Sequence, residues 1–274
     1  MHNILTNIRH LALDMDGTIY RGTTLFPYTA KAFDIFDSCG VSYTYLTNNS
    51  SLSAKDYVKK INYLGLRGGI ENLFTSSLAV LAYLRKQHPA FRTVYLLGSE
   101  SLKTEFREAG YKVFAEDDSD EPECVIVAFD LDMSYASLCK SAWWVQWGKP
   151  YFATHPDRTC PTDLPTVLVD CGAVCDCIAS ATGRQPDRVF GKPDPLMIEG
   201  IREKHGLRPD EIAMVGDRLY TDMEMACRAG VIGALVLTGE AAREDLQTSG
   251  LSPEIVVENI LELAEKIYAA KRGY

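Results

Sequence analysis

The chain is 274 residues long and 46% apolar, with 37 acidic and 28 basic side chains and a net charge of −9. Length suggests about two domains at roughly 150 residues each, and the composition excludes a disordered chain. The acid surplus argues against general nucleic-acid binding, which needs a basic footprint, and no apolar run approaches the roughly 20 residues that span a bilayer.

The N-terminal stretch MHNILTNIRH carries no basic region followed by an apolar one, so no secretory signal is expected. The eight cysteines then read as reduced thiols of a cytoplasmic protein. Residues 8–13 form a short apolar run that stops at Asp14. Residues 28–39 place Ala30, Phe33, Ile35 and Phe36 near helical spacing, with Gly40 as a stop. A β-branched and aromatic run, 41–46, stops at Thr47. Residues 75–85 predict a helix with Ser and Thr available to cap it. Strand patterns recur at 93–97, 124–129, 212–215 and 234–237. The acidic run 116–123 reads as a solvated loop, 222–229 as a helix ended by Gly230, and 254–269 as a final amphipathic helix. Strand and helix in alternation predict an α/β fold with a mainly parallel sheet.

Four polar stretches follow or border these runs, and in open α/β sheets ligands bind beyond the carboxyl ends of the strands. Asp14 and Asp16 lie two apart just past an apolar strand, and Asp217 follows another directly. Buried acids need a partner or a metal, and an oxygen-only set suits a hard ion such as Mg²⁺. The competing reading is turn and helix-capping acids. Thr47, Asn48 and Asn49 offer hydroxyl, amide and backbone donors able to cradle phosphate oxygens; alone they would read as an Asn-rich turn. Lys192 lies in a Gly/Pro-framed loop, where a held ammonium suits a phosphate and the plain alternative is a surface lysine.

Taken in order, these stretches resemble the four motifs of the haloacid dehalogenase (HAD) superfamily of phosphohydrolases. They are Asp14-Met15-Asp16-Gly17-Thr18, Thr47-Asn48-Asn49-Ser50, Gly191-Lys192-Pro193-Asp194-Pro195, and Gly216-Asp217-Arg218 through Thr221-Asp222. Their wording is similar to the NagD-like, type IIA, p-nitrophenyl phosphatase branch. The resemblance implies a Rossmann-like, doubly wound core and a Mg²⁺-dependent phosphatase acting on a small-molecule phosphomonoester. In it Asp14 is the nucleophile that forms an aspartyl-phosphate, and Asp16 is the general acid and base. Mg²⁺ is held by Asp14, the carbonyl of Asp16, and Asp217. Thr47, Asn48 and Lys192 bind phosphate. Asp222 orients Lys192 or metal-bound water, and Asn49 stands beside it as a supporting residue.

About 140 residues separate Asn48 from Lys192, far more than a crossover needs. The gap carries its own strand and helix patterns, so an inserted domain is expected at 79–184. In type IIA members an α/β cap (C2 type) occupies this place, leaving a discontinuous core of 1–78 and 185–274. Inside the cap, Ala153-Thr154-His155-Pro156-Asp157 resembles a branch motif in which His155 stands in place of Asn. His155 is a candidate substrate contact or a hydrogen-bonded loop residue. Asp170 is a candidate leaving-group contact or a helix N-cap, and Asp176 falls where small or apolar residues are more usual. Cys171, Cys175 and Cys177 lack the spacing of a soft-metal site and read as small helix thiols. Trp143, Trp144 and Trp147 have helical spacing, which points to core or interface before a stacking platform. An exposed cap face allows a homodimer. A non-catalytic phosphometabolite-binding protein on the same scaffold is the alternative function.

Overall fold

A computed structural model describes residues 2–118, 120–160, 162 and 165–273. The chain divides into two compact units, one of residues 1–46, 60–74 and 192–274, the other of 47–59 and 75–191.

The first unit is organised by a six-stranded sheet. In spatial order its strands are Ile255–Val257, Ile232–Val236, Ile212–Gly216, His10–Asp14, Ser42–Thr47 and Leu73–Thr75. From Ile255–Val257 through to Ser42–Thr47 each pairing is parallel. The three strands at 10–14, 212–216 and 232–236 are buried at every position, as expected where helices cover both faces of a parallel sheet. One face packs Ala12, Leu46, Ile212 and Met214 against Met197, Ile198 and Ile201 of the helix Leu196–His205. The helices Thr29–Ser38 and Ile260–Arg272 pack against each other.

The chain leaves the central strand His10–Asp14 toward one edge and later returns to its other side, at Ile212–Gly216. That reversal is a topological switch point, where neighbouring connections run apart and open a crevice at the strand ends. Leu13 is in register with Val215. Asp14 therefore lies level with Gly216, one residue before Asp217.

Two sequence expectations change here. The helix expected at 254–269 begins only at Ile260, because the capping residue is Asn259, whose side chain accepts from the amides of Leu261 and Glu262. Ile255, Val256 and Val257 instead extend the sheet, as three consecutive β-branched residues favour. The helix expected at 222–229 is preceded by a wide π-type turn over Leu219–Met223, and the regular helix covers Glu224–Ala229.

The second unit has its own five-stranded sheet, ordered Arg188–Val189, Tyr151–Ala153, Cys124–Val127, Thr93–Leu97 and Lys112–Phe114, with parallel pairings throughout. Val80, Leu84, Leu102 and Phe106 pack with Val94 and Ile126 in one apolar cluster. Trp144, Val145, Val174 and Ile178 pack with Tyr95 and Val127 in a second. The doubly wound α/β class expected from the sequence is the class found.

His10 is a polar side chain in the first unit's core. Its two ring nitrogens meet Ser42 Oγ at 2.7 Å and Thr44 Oγ1 at 3.0 Å. Burial, with His205 and Lys204 nearby, pushes its pKa down to about 3. A folded-state value below the unfolded one gives stability that is complete above about pH 6.5 and lost as the pH falls. At pH 4.5 this one group should remove about 2–3 kcal/mol, at about 1.36 kcal/mol per pH unit. Urea unfolding at pH 7 and pH 4.5 checks this: His10→Gln should narrow the difference between the two pH values, and an unchanged difference would contradict it.

Candidate active site

Asp14 ends the central strand with 7% of its surface exposed. The Thr18 hydroxyl donates to its Oδ2 at 3.0 Å, and the Lys192 ammonium donates to its Oδ1. Lys192 also reaches Asp222 Oδ1 at 2.7 Å. The remaining Asp222 oxygen accepts from the Arg218 amide at 3.1 Å. Asp217 Oδ2 accepts from the Glu240 amide at 2.7 Å. One oxygen from each of Asp14, Asp217 and Asp222 lies within 4.8 Å of the others. The first, third and fourth motifs thus converge within the first unit, at the switch point.

Two glycines permit this crowding. Gly17 has φ +86°, and a Cβ there would come 2.6 Å from Asp217 Oδ2. A Cβ on Gly239 would stand 1.8 Å from the same oxygen. Any larger residue at either place would push Asp217 away.

The charges are unbalanced. Burial pushes the Asp217 carboxyl up to about 8, with Asp14 and Asp222 adding to the rise. Burial also lifts Asp222 to about 6, against Lys192 and with Asp14. Asp16 is raised by burial and by Asp14. For Lys192, burial would lower the pKa, but Asp14 and Asp222 outweigh it and hold the ammonium above its ordinary value. One ammonium is shared by two carboxylates while a third stands beside them, and the Arg218 charge, itself paired with Glu240, only partly offsets the rise at Asp217. Asp217 Oδ1 is buried with no hydrogen-bond partner among the described residues. A buried carboxylate oxygen without a donor is costly unless a cation takes that place. The donors are all hard oxygens, so the residues fit a small divalent ion such as Mg²⁺.

Thr47, Asn48, Asn49, His155 and Asp170 belong to the second unit. Thr47 is the last residue of its strand, and Leu46 before it is in register with Asp14. Thr47 Oγ1 accepts from the Asn49 amide at 3.2 Å, and Asn49 Oδ1 accepts from the Ser51 amide at 2.9 Å. Asn48 donates through Nδ2 to Asp157 and accepts at its carbonyl from Ser76 Oγ at 2.8 Å.

His155 is fully buried. Its Nδ1 lies 2.9 Å from Thr154 Oγ1 and its Nε2 lies 2.8 Å from Asp170 Oδ1. Asp170 also caps the helix Cys171–Thr182 by accepting from the Cys171 amide. Both alternatives raised for this pair, the loop hydrogen bonds and the N-cap, are therefore present. Asp176 is exposed and pairs with Arg158 at 2.9 Å, so it needs no place in a packed face. Cys171 and Cys175 are buried, and Cys177 is exposed.

Two contributors beside Asp217 carry no sequence signal of their own: Gly239 and the Glu240 amide. The available cue is that Thr238-Gly239-Glu240 follows an apolar strand just as the recognised stretches follow theirs.

Lys192→Met should remove the single cation shared by Asp14 and Asp222. Breaking a buried pair by removing one partner costs about 3–5 kcal/mol, and urea unfolding at pH 7.5 should show a loss of that order. A loss under about 1 kcal/mol, the value of an exposed pair, would contradict the buried arrangement.

For His155, burial alone would lower the pKa, but Cys171, the Asp170 hydrogen bond and Asp157 raise it to about 9. Its stabilising contribution is thus complete below about pH 6.5 and lost as the pH rises through about 9. Ring-proton NMR should find His155 titrating above the ordinary imidazole value, held there by its Asp170 hydrogen bond. Asp170→Asn should bring its titration below neutrality, and an unmoved titration would show that Asp170 is not the stabilising partner.

The sequence matches two family models, haloacid dehalogenase-like hydrolase over residues 11–112 and HAD-hydrolase-like over residues 189–263. It is 30% identical over 241 residues to an acid sugar phosphatase of Staphylococcus epidermidis, covering 88% of this chain and 91% of that one. The fold is similar to a 4-nitrophenylphosphatase from Thermotoga maritima, with TM-score 0.89 and 37% identity over 96% of this chain and 98% of that one. It is also similar to a glycerol phosphate phosphatase from Mycobacterium tuberculosis solved with magnesium, with TM-score 0.86 and 26% identity over 96% of this chain and 78% of that one. The chain belongs to the haloacid dehalogenase-like hydrolase superfamily, in its type IIA, NagD-like phosphatase branch.

Proposed function

We propose that this phosphatase is a Mg²⁺-dependent phosphomonoester hydrolase that works through an aspartyl-phosphate on Asp14. The observation that carries the reading is the buried group of Asp14, Lys192, Asp217 and Asp222, with one Asp217 oxygen left for a cation.

In the first step a carboxylate oxygen of Asp14 bonds to phosphorus, and the bond from phosphorus to the leaving oxygen breaks. Asp16 gives its proton to that oxygen, a role its raised pKa favours. In the second step water attacks the acyl phosphate, Asp16 takes the water proton, and Asp14 is regenerated with release of phosphate. Lys192 and Thr18 fix the Asp14 carboxylate, so the nucleophile does not reorganise as it reacts. Asp14, the carbonyl of Asp16, and Asp217 would hold Mg²⁺, which offsets the repulsion between an anionic nucleophile and an anionic phosphate. The motif resemblance assigns Thr47 and Asn48 to the phosphate oxygens, and residues 79–184 to a cap domain that selects the substrate. The relatives named as acid sugar phosphatase, 4-nitrophenylphosphatase and glycerol phosphate phosphatase support a small phosphorylated metabolite as the substrate class. A sugar phosphate, or a nucleotide or pyridoxal-type phosphate, is the expected chemistry.

Purified protein with Mg²⁺ should release phosphate from p-nitrophenyl phosphate and from members of a phosphomonoester panel, and EDTA should stop it. Asp14→Asn should lower turnover by on the order of 10³-fold or more, with the circular dichroism of the fold retained. Substantial turnover in Asp14→Asn would overturn the covalent route. Silence of the wild type across the whole panel would favour a binding protein on this scaffold.

A further inference from the structure

The loop that follows the strand Ile232–Val236 comes back onto Asp217. The Glu240 amide donates to Asp217 Oδ2 at 2.7 Å, and the Ala241 amide donates to the Asp217 carbonyl at 3.0 Å. Gly239 allows the approach because it has no side chain to strike the same oxygen. One Asp217 oxygen is therefore fixed by the main chain, while Oδ1 has no hydrogen-bond partner among the described residues.

Residues 237–240 belong to no helix or strand, so no ladder of backbone bonds holds this amide in place. The tethers are side chains. Glu240 turns its carboxylate away from Asp217: Oε2 meets Arg218 Nε at 3.0 Å and accepts from the Tyr220 hydroxyl at 3.0 Å. The Thr238 hydroxyl donates to the Gly17 carbonyl, and Arg21 donates to the Thr238 carbonyl at 3.0 Å. Glu240 thus grips the segment after the strand Ile212–Gly216 twice, by its amide at Asp217 and by its carboxylate at Arg218 and Tyr220.

On the reading of Asp217 as a Mg²⁺ ligand, we propose that Glu240 is a positioning residue for the cation site: its carboxylate, clasped by Arg218 and Tyr220, holds the Glu240 amide on Asp217 Oδ2 and so keeps Oδ1 for the ion. Glu240 is not one of the three carboxylates that converge at the site, those of Asp14, Asp217 and Asp222. It acts through Asp217. An acid set beside three others adds repulsion unless a cation takes its charge. Arg218 does so with a side chain only 15% exposed, and its rigid guanidinium fixes direction as well as charge. A ligand whose second oxygen is already hydrogen-bonded is oriented before the ion arrives. Loss of such an outer partner costs about 10–100-fold in metal affinity. The Glu240 side chain is half exposed, so the lower end of that range is expected.

Calorimetric titration of the full chain with Mg²⁺ at pH 7.5 tests this. Glu240→Ala should weaken binding by about 10-fold, with unchanged circular dichroism. Glu240→Gln, whose amide oxygen can still accept from Arg218 and Tyr220, should recover most of that loss. The two variants carry the same net charge, so the difference between them reads position and not charge. Tyr220→Phe, which alters no charge, should weaken binding less than Glu240→Ala. Wild-type affinity in Glu240→Ala, or equal weakening in Glu240→Ala and Glu240→Gln, would overturn the proposal and leave Asp217 as the ligand. A wild type that binds no Mg²⁺ would overturn the proposal together with the reading of Asp217.

Discussion

A single buried ammonium, that of Lys192, lies between Asp14 at the end of the central strand and Asp222 on the turn that follows the neighbouring one, with Asp217 close by. Three carboxylates in so little space cannot all keep their charge without cations. The raised pKa values of Asp217 and Asp222 express that shortage. The shortage also makes the place reactive, because an anion-binding catalyst needs positive charge supplied locally when the chain as a whole is acidic. Lys192 supplies part of it, and the unpartnered Asp217 oxygen marks where a metal would supply the rest.

The surrounding fold serves to bring these groups together. Asp14 and Asp217 come from strands that are distant in sequence but adjacent in the sheet, in a register that sets Asp14 level with Gly216. Asp222 arrives on a wide π-type turn, a form of helix found often at functional sites. Gly17 and Gly239 leave the room that Asp217 occupies. In the second unit Asn48 is held by Asp157 and Ser76, and His155 by Thr154 and Asp170. Those side chains are fixed in orientation by their hydrogen bonds, the usual means of pre-organising a polar group.

Much of this was legible in the sequence because the chemistry is local. Asp14, Thr47 and Asp217 each end or follow a short apolar run, and a strand that stops at a polar residue announces both itself and a site. What was not legible depends on non-local geometry. Ile255, Val256 and Val257 look like the start of an amphipathic helix until Ile232–Val236 offers them a parallel partner. The Glu240 amide and Gly239 matter only because the sheet brings them beside Asp217. Thr18 sits inside a recognised motif, but its bond to Asp14 follows from the turn that links them. Trp143, Trp144 and Trp147 show the limit of periodicity: helical spacing found the helix, but only packing shows that Trp144 is buried while its neighbours face outward.

The central claim is that the carboxylate cluster is short of one divalent cation and that Asp217 is where it binds. Thermal unfolding at pH 7.5 under increasing Mg²⁺ tests this without reference to turnover, because a ligand that binds only the folded state raises its stability. The account predicts a rising midpoint for the wild type and a much smaller rise for Asp217→Asn. No rise in the wild type, or an equal rise in the variant, would contradict it.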